Sequence, residues 1–265
     1  MYIKVLFDKY TNDKRLHTGW GLSFLVNDKI LFDTGENGNW LLHNIENLDI
    51  DLNKIKIVVV SHEHYDHTGG LWELLKKKKG IQVYGCPDFS NEFKNKVKNF
   101  KARIIETIEM TEISKNIFIT GQIQDKYQPI PEQALVVKSN NSISIITGCA
   151  HPGIINMVRK IKEFFPKEII SMILGGFHLM GEDKRIIALI VEDFRKIGVK
   201  KVGPTHCTGP EAEQAFRREY KKDFIHVKVG EAIHLFNFIK KTEFKRKKEV
   251  KWKSKLRIPI SAKKY

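Results

Sequence analysis

The segment SHEHYDHTGG, Ser61 to Gly70, concentrates histidine and acidic residues directly after the apolar run IKIVVV. Residues two apart on a strand face the same way, so His62 and His64 can direct both imidazoles to one point. Asp66 and His67 follow where the chain turns towards a helix. Imidazoles beside a carboxylate suit Zn²⁺, and Fe or Mn²⁺ are acceptable alternatives. A surface loop without a ligand would leave four costly polar groups without a purpose.

Three more histidines each follow an apolar strand pattern. His151 ends SISIITGCAH, His178 ends IISMILGGFH and His206 ends KKVGPTH. Binding sites in open α/β architectures gather at strand ends, so we expect these residues to meet the first cluster. Cys149 and Cys207 lie beside these candidates, and each is either a soft metal ligand or a small buried residue.

Strand and helix patterns must position these residues. Short β-rich runs dominate the first half, and strands alternate with amphipathic helices in the second. Two glycines, Gly69 and Gly70, are expected to let the backbone pass close to a ligand. Because no Gly/Ser-rich or Pro-rich linker interrupts the pattern, we predict one α/β domain over residues 1–238 and a basic tail over residues 239–265.

Composition excludes several classes of protein. Hydrophobic residues make up 42% of the 265 residues, which is enough for a sizeable core rather than a disordered chain. No apolar run approaches the ~20 residues needed to span a bilayer, and the N-terminus lacks a signal-peptide pattern. Three cysteines are too few for a disulfide framework, so we expect a cytoplasmic protein without a membrane partner.

The net charge of +15 is unevenly distributed. The segment from Lys241 to Tyr265 contains 11 Lys/Arg and 2 Glu, so it carries +9 of this charge. Such a tail is either a solvated extension or a site for nucleic acid, anionic membrane or an acidic partner. The body is only modestly basic, which makes nucleic acid a less favoured partner. Removal of the tail would test whether it takes part in activity.

The motifs resemble those of a known family. SHEHYDHTGG looks like the HxHxDH signature of the metallo-β-lactamase fold superfamily, and LFDTG, Leu31 to Gly35, resembles its upstream Asp motif. The resemblance implies a four-layer αββα sandwich with mixed sheets, helices on the outer faces and a dinuclear metal site on the shared sheet edge. It implies one or two divalent ions, with Zn²⁺ favoured over Mg²⁺, Mn²⁺ or Fe.

The resemblance also implies roles for individual residues. One ion would be held by His62, His64 and His151, and the second by Asp66, His67 and His206. Asp33 would orient a ligand of the HxHxDH loop. Asp66 and His178 are the candidate catalytic residues.

One position departs from the family pattern. Many members carry an aspartate that bridges both ions, but this chain reads GGFHL, with Phe177 and His178 at that place. His178 could bind a metal, contact substrate or donate a proton, and occupancy by a single ion is an alternative. Substrate contacts are expected from His178, Phe177 and Tyr65. Trp20 and Tyr127 are further candidates for stacking, with core packing as the alternative for each aromatic residue.

The finer motifs SHEHYDHTGGL, TGCAHPGI, GGFHL and PTHCTG together are similar to one subgroup of the superfamily. This subgroup resembles the archaeal 7,8-dihydropterin-6-methyl-4-(β-D-ribofuranosyl)aminobenzene 5'-phosphate synthases of methanopterin biosynthesis. The resemblance implies a metal-dependent transferase that joins a dihydropterin-methyl diphosphate to a small phosphorylated aminobenzene riboside. Alternatives are a hydrolase of a small phosphoester or thioester, a nucleic-acid-processing hydrolase, and a metal-free pterin-binding module. The intact set of metal-ligand candidates argues against the last.

Overall fold

The computed structural model describes residues 1–125 and 129–236, which fold into two mixed sheets with helices on their outer faces. The strands are β1 (Tyr2–Phe7), β2 (Ser23–Val26), β3 (Ile30–Phe32), β4 (Ile57–Val59), β5 (Gln82–Gly85), β6 (Arg103–Glu106), β7 (Thr111–Ser114), β8 (Ile117–Ile119), β9 (Leu135–Ser139), β10 (Ser142–Thr147), β11 (Ile169–Gly176), β12 (Lys201–Thr205) and β13 (Ala232–His234). The helices are α1 (Gly38–Asn47), α2 (Tyr65–Thr68), α3 (Leu71–Lys77), α4 (Asn91–Asn99), α5 (Ile154–Phe164), α6 (Lys184–Ile197) and α7 (Pro210–Tyr220).

The strand order places the chemistry-bearing segments on one edge. The first sheet has the order β13-β1-β2-β3-β4-β5-β6, with β3 to β6 parallel. The second has the order β12-β11-β10-β9-β8-β7, with β10, β11 and β12 parallel. Parallel strands end on the same side of a sheet, so the segments that follow them collect there.

Alternating side chains build the layers. Phe24 and Val26 of β2 belong to the apolar cluster between the sheets, whereas Leu25 faces the helices outside the first sheet. On β4, Val59 faces inward and Val58 outward in the same way. A third cluster lies between the second sheet and α5, α6 and α7. Successive strand residues point to opposite faces, so both faces of each sheet are buried. The predicted αββα sandwich is confirmed.

Helix α6 shows how the sequence determines an outer-layer element. The Asp183 side chain accepts a hydrogen bond from the backbone N–H of Arg185 and caps the N-terminus. Ile187, Val191 and Phe194 recur at helical spacing and are buried against the second sheet. The helix ends at Gly198, whose φ of 87° suits a left-handed cap.

Some expectations about individual elements differ from the structure. The β-rich run DFIHVKV, Asp223 to Val229, has the composition of a strand, but it makes only isolated bridges at Phe224 and Val229. The described part of the first half contains eight strands, as expected, but four helices also lie between them. None of the helices in residues 1–125 and 129–236 is long and apolar enough to cross a membrane. Tyr127 and the predicted tail over residues 239–265 lie outside the described residues, so those expectations stay predictions.

Candidate metal centre

Five strand ends deliver the candidate residues to one place. Asp33 follows β3 and the HxHxDH segment follows β4, while His151, His178 and His206 follow β10, β11 and β12. The ring centroids of His62 and His67 lie 4.1 Å apart, and those of His67 and His206 lie 5.1 Å apart. Residues that are up to 144 positions apart in the chain therefore form one continuous cluster of imidazoles.

The acidic donor group consists of Asp66, His67 and His206. Oδ2 of Asp66 lies 3.4 Å from Nε2 of His67 and 3.2 Å from Nε2 of His206. Two ligand atoms that lie about 2.1 Å from one tetrahedral Zn²⁺ are separated by about 3.4 Å. The spacing of these three donors therefore fits a single divalent ion. The backbone N–H of Gly21 lies 3.2 Å from Nδ1 of His206, which leaves Nε2 facing Asp66.

The imidazole donor group consists of His62 and His151, with His64 beside them. Their ring centroids are 4.7 Å apart, and the His64 ring lies 4.7 Å from His62 and 4.9 Å from His151. His62 is fully buried, His151 is 6% exposed and His64 is exposed at the edge of the cleft. No carboxylate belongs to this group.

Unsatisfied nitrogen atoms test whether the cluster suits a metal. Among the described residues, Nε2 of His62 and both ring nitrogens of His151 are buried without a hydrogen-bond partner, and Nε2 of His206 has only its ion-pair contact with Asp66 at 3.2 Å. A buried polar atom without a partner costs about 1–3 kcal/mol. Coordination of an ion would use these lone pairs, so the chemistry of the donor set fits a divalent metal.

Asp33 connects the two donor groups. Its Oδ2 accepts a hydrogen bond from Nδ1 of His67 at 2.7 Å and from Oγ of Ser61 at 2.6 Å. The Ser61 hydroxyl in turn lies 2.9 Å from Nδ1 of His62. One fully buried carboxylate thereby orients a ring in each group. Such partners fix the ring orientation of metal-binding histidines.

The two groups differ in charge. Burial would raise the pKa of Asp66, but the rings of His206 and His67 outweigh burial and hold that pKa well below its usual range. Burial disfavours the charged form of His67, yet the carboxylates of Asp33 and Asp66 raise its pKa to about 10. In contrast, burial lowers the pKa of His62 strongly and that of His151 to about 3. The acidic donor group therefore contains charged side chains, whereas the imidazole donor group offers an ion the lone pairs of uncharged rings.

A buried glutamate that sequence reasoning missed supports the His151 loop. Oε1 of Glu132 accepts hydrogen bonds from the backbone N–H groups of Cys149 and Ala150 at 2.9 and 2.8 Å. Oε2 accepts one from the N–H of His151 at 2.8 Å. Burial raises the pKa of Glu132 to about 7, against the effect of these three donors. No motif in the sequence marks it, since its partners are backbone groups.

Asp8 and Lys9 at the end of β1 are a second feature that the sequence did not indicate. The Thr205 hydroxyl donates a hydrogen bond to Asp8 Oδ2 at 2.7 Å. The Lys9 ammonium donates to the backbone oxygen of His206 at 3.1 Å and to Glu213 at 2.6 Å. Burial raises the pKa of Asp8 to about 6. The N-terminal strand thus fixes the backbone that carries His206.

Backbone conformation at the site is unusual. Asp33, Ala150, His178 and His206 have φ values of 55°, 63°, 51° and 51°. Residues other than glycine rarely adopt this left-handed region, and they do so mainly where surrounding structure imposes it. Four such residues lie at the ends of β3, β10, β11 and β12. The surrounding structure imposes an unfavourable backbone conformation on each of them, and this conformation sets the direction of their side chains.

The glycines of the HxHxDHTGG segment serve packing between chain segments. A Cβ on Gly69 would lie 2.1 Å from the carbonyl oxygen of Glu36, and one on Gly70 would lie 2.1 Å from that of Thr34. The expectation that these glycines admit a ligand is wrong, because the close neighbours are backbone oxygens. Their small size instead lets the loop after β3 lie against α2.

The remaining candidates lie at different depths. The exposed His178 ring lies 4.3 Å from that of His151 and beside Cys207. Tyr65 is 66% exposed, and Trp20 is 37% exposed with its ring 4.6 Å from His206. Phe177 is 1% exposed and packs against the rings of Phe194 and Phe216, so it has no free face for a substrate. Its position matches the core-packing alternative.

A cavity of about 260 Å³ opens beside His151 and His178. Its wall includes the first turn of α5 from Gly153 to Asn156, where no side chain caps the helix. Glu182 contributes a further polar group, and isoleucine side chains supply apolar surface. The cavity therefore offers a mixed apolar and polar surface next to the donor groups.

Comparison with known proteins relates this geometry to a family. The family model of the metallo-beta-lactamase superfamily matches residues 21–138. The chain is 29% identical to the 7,8-dihydropterin-6-methyl-4-(beta-D-ribofuranosyl)-aminobenzene-5'-phosphate synthase of Methanocaldococcus jannaschii, over 80% of this chain and 89% of that protein. It is 33% identical to the hydroxyacylglutathione hydrolase of Buchnera aphidicola subsp. Baizongia pistaciae over 32% of this chain and 29% of that protein.

A solved structure matches most of the chain. The structure of Tm1679, described as a metal-dependent hydrolase of the beta-lactamase superfamily, superimposes with a TM-score of 0.76. Its sequence is 31% identical, and the alignment covers 89% of this chain and all of that one. The shared sandwich and the shared sequence lead to one conclusion: this chain belongs to the metallo-beta-lactamase superfamily of enzymes.

Proposed function

We propose that the chain joins 6-hydroxymethyl-7,8-dihydropterin diphosphate to 4-(β-D-ribofuranosyl)aminobenzene 5'-phosphate and releases diphosphate. The observation that carries this proposal is the 29% identity to the M. jannaschii synthase over 80% of the chain. That alignment is long enough to include both donor groups together with their supports. The implied class is a metal-dependent transferase acting on small phosphorylated molecules in the cytoplasm.

The metal ligands in this proposal come from both donor groups. Asp66, His67 and His206 would hold one divalent ion, and His62, His64 and His151 would hold a second. Zn²⁺ suits imidazole and carboxylate donors best among the common ions. When bound, such ions neutralise the oxygens of a diphosphate leaving group.

The protein's own residues would bind and orient the substrates. The uncapped first turn of α5 carries free N–H groups at the cavity wall, and such groups bind phosphate oxygens well. The rings of Tyr65 and Trp20 are exposed, and that of Trp20 lies 4.6 Å from His206, so both would be able to stack on a flat heterocycle. Binding of both substrates at these positions would hold the aminobenzene ring close to the methylene carbon of the pterin substrate, where the new bond forms.

Asp66 and His178 would be the catalytic residues, with different roles. The His178 imidazole is exposed next to His151, where it can exchange a proton with substrate. Its proximity to Cys207 raises its pKa above the usual histidine value. The Asp66 carboxylate stays ionised because the His206 and His67 rings outweigh the effect of burial on its pKa. Asp66 can therefore bind cations at neutral pH.

Mass spectrometry of a condensation reaction tests the proposal. The full chain would be incubated with both substrates, separately in Mg²⁺, Mn²⁺ and Zn²⁺. The double variant His62→Ala/His64→Ala removes two predicted ligands, and His226→Ala changes an exposed histidine outside both donor groups. A joined product that is lost only in the double variant supports the transferase. A lack of joined product in every metal contradicts it.

Hydrolysis of a small phosphoester or thioester is the second candidate. It is favoured by the 31% identity over 89% of the chain to a structure described as a metal-dependent hydrolase. The same reaction mixture separates the two candidates. Appearance of hydroxymethyl-dihydropterin without joined product identifies water as the acceptor and supports the hydrolase.

A further inference from the structure

In the part of the chain that the structure describes, β11 and the residues that follow it supply no bridging carboxylate between the two donor groups. Strand β11 ends at Gly176, and the next side chain, Phe177, is buried against Phe194 and Phe216. The nearby carboxylate of Glu132 is occupied by three backbone N–H groups. If two ions bind here, the ligand between them must come from another residue.

The sulfur of Cys149 occupies that position. Sγ lies within 4.8 Å of donor atoms of Asp66, His67 and His206, and within the same distance of donor atoms of His62 and His151. It is 3.3 Å from Nε2 of His67. A sulfur and a nitrogen bound to one tetrahedral Zn²⁺ at about 2.3 and 2.1 Å are separated by about 3.6 Å. Cys149 therefore has ligand spacing towards both groups.

The surroundings of Cys149 differ from those of a packing cysteine. Cys86 lies in the apolar cluster between the first sheet and its helices, as a small hydrophobic residue does. Cys149 is 4% exposed and faces imidazoles instead. The neighbouring Nε2 of His62 and both nitrogens of His151 are buried without partners. These unpaired nitrogens are independent evidence that the residues beside the thiol can bind a cation.

The backbone around Cys149 is held in place. Glu132 binds the N–H groups of residues 149 to 151, and the Cys149 carbonyl accepts a hydrogen bond from Sγ of Cys207 at 3.5 Å. Gly176 allows this approach, because a Cβ there would lie 2.6 Å from the Cys207 sulfur. The backbone that carries the Cys149 side chain is thus held by contacts from two separate segments, at Glu132 and Cys207.

We propose that the Cys149 sulfur is a metal ligand shared by the acidic and imidazole donor groups, in place of a bridging carboxylate. This inference rests on the metal site of the proposed function. On binding, the S–H bond breaks, the sulfur forms its bond to the ion and the proton leaves to solvent. A thiolate favours Zn²⁺, Co²⁺ and Fe²⁺ over Mg²⁺, so it narrows the choice of metal.

Titration of the metal-free full chain with Co²⁺ tests the inference without an activity assay. Visible absorption reports binding of the ion, and a near-ultraviolet sulfur-to-cobalt charge-transfer band reports a thiolate ligand. We expect both signals in the wild type. Cys149→Ser should lose the charge-transfer band but keep visible absorption, while Cys207→Ser should keep both.

The variant Cys86→Ala/Cys207→Ala leaves Cys149 as the only cysteine and avoids any change at the proposed ligand. Retention of the charge-transfer band in it assigns the ligand to Cys149 even if Cys149→Ser fails to fold. Zinc X-ray absorption of the wild type adds an independent readout, with a sulfur shell expected at about 2.3 Å.

The outcomes separate the two proposals. Visible cobalt absorption without a charge-transfer band, or a zinc shell of nitrogen and oxygen alone, overturns the role of Cys149 and leaves the metal site standing. Loss of the band in Cys86→Ala/Cys207→Ala also overturns it. No binding of either ion by the wild type contradicts both the metal site and the shared sulfur.

Discussion

The acidic and imidazole donor groups lie side by side, yet they are built differently. Asp66 gives the first group its own negative charge, and its donor atoms already have the spacing of ligands around one ion. The second group has no carboxylate, and burial keeps His62 and His151 neutral. Fixed charge therefore attracts an ion to the first group, whereas the second depends on neutral lone pairs and a further ligand.

The largest expected effect comes from removing that charge. Asp66→Asn keeps the shape of the side chain but removes the carboxylate that pairs with His67 and His206. Since loss of an outer partner alone costs 10–100-fold, we expect loss of this ligand to weaken metal binding at the acidic group more than about 100-fold.

Metal content by atomic emission and the condensation assay would measure this effect. The control is Asp193→Asn on the outer helix α6, away from the cleft. Full metal content in Asp66→Asn would show that the difference in charge between the two groups does not govern binding.

Variants of Asp33 and Ser61 test the comparison between the two donor groups. Asp33 supports a ring in each group, whereas Ser61 contacts a ring of the imidazole group. Asp33→Asn removes a direct partner of His67 and the partner of Ser61, so we expect about 10–100-fold weaker binding at both groups. Ser61→Ala removes the contact with His62 and the hydroxyl's hydrogen bond to Asp33, but it keeps the Asp33–His67 contact, so it should weaken mainly the imidazole group. Competition with a chromogenic chelator would measure both affinities, and equal losses at both groups in Ser61→Ala would contradict the arrangement.

Removal of the metal should lower the free energy of unfolding, with a separate contribution from each donor group. At a free Zn²⁺ concentration of about 100 times the dissociation constant, binding to the native state adds about 2.7 kcal/mol to the free energy of unfolding per site. We expect a zinc titration followed by thermal unfolding to show two steps in the wild type and one in Asp66→Asn. A single step in the wild type would instead indicate occupancy by one ion.

The smallest expected effect concerns the loop that carries Cys149 and His151. Glu132→Gln replaces one of the two acceptor oxygens with an NH₂ group that cannot accept, which leaves at least one buried N–H group unpaired. We expect the free energy of unfolding to fall by about 1–3 kcal/mol. Urea denaturation would measure it, with Glu163→Gln at an exposed position of α5 as the control. An unchanged free energy would show that Glu132 is not needed to hold the loop.

Much of the fold was accessible from the sequence because it rests on local patterns. Apolar alternation located β1, β2 and β4, and helical spacing located α1, α3 and α6. The strand pattern of DFIHVKV did not predict its structure, because the run makes only isolated bridges and forms no strand of either sheet. Within this run only Phe224 and Val229 have bridge partners, Val202 of β12 and Thr11, so tertiary contacts do not extend its strand tendency into a continuous ladder.

The candidate ligands were also accessible, since each follows an apolar strand in a compact motif. The motifs did not reveal Glu132, Asp8 or Ser61. Glu132 binds backbone groups 17 to 19 residues away, and Asp8 meets Thr205 across 197 positions. Backbone groups are present at every residue, so no sequence spacing distinguishes the ones that a buried carboxylate will bind.

The sequence by itself determined the residue types, their order along the chain and the strand ends that carry them. Only the tertiary structure decided that Phe177 turns into the core and that Cys149 lies between the two donor groups. It also decided that one carboxylate, Asp33, serves both groups. The physical reason is that strand and helix patterns depend on neighbours a few residues apart, whereas the side chains around an ion meet only after distant strand ends pack onto the same edge.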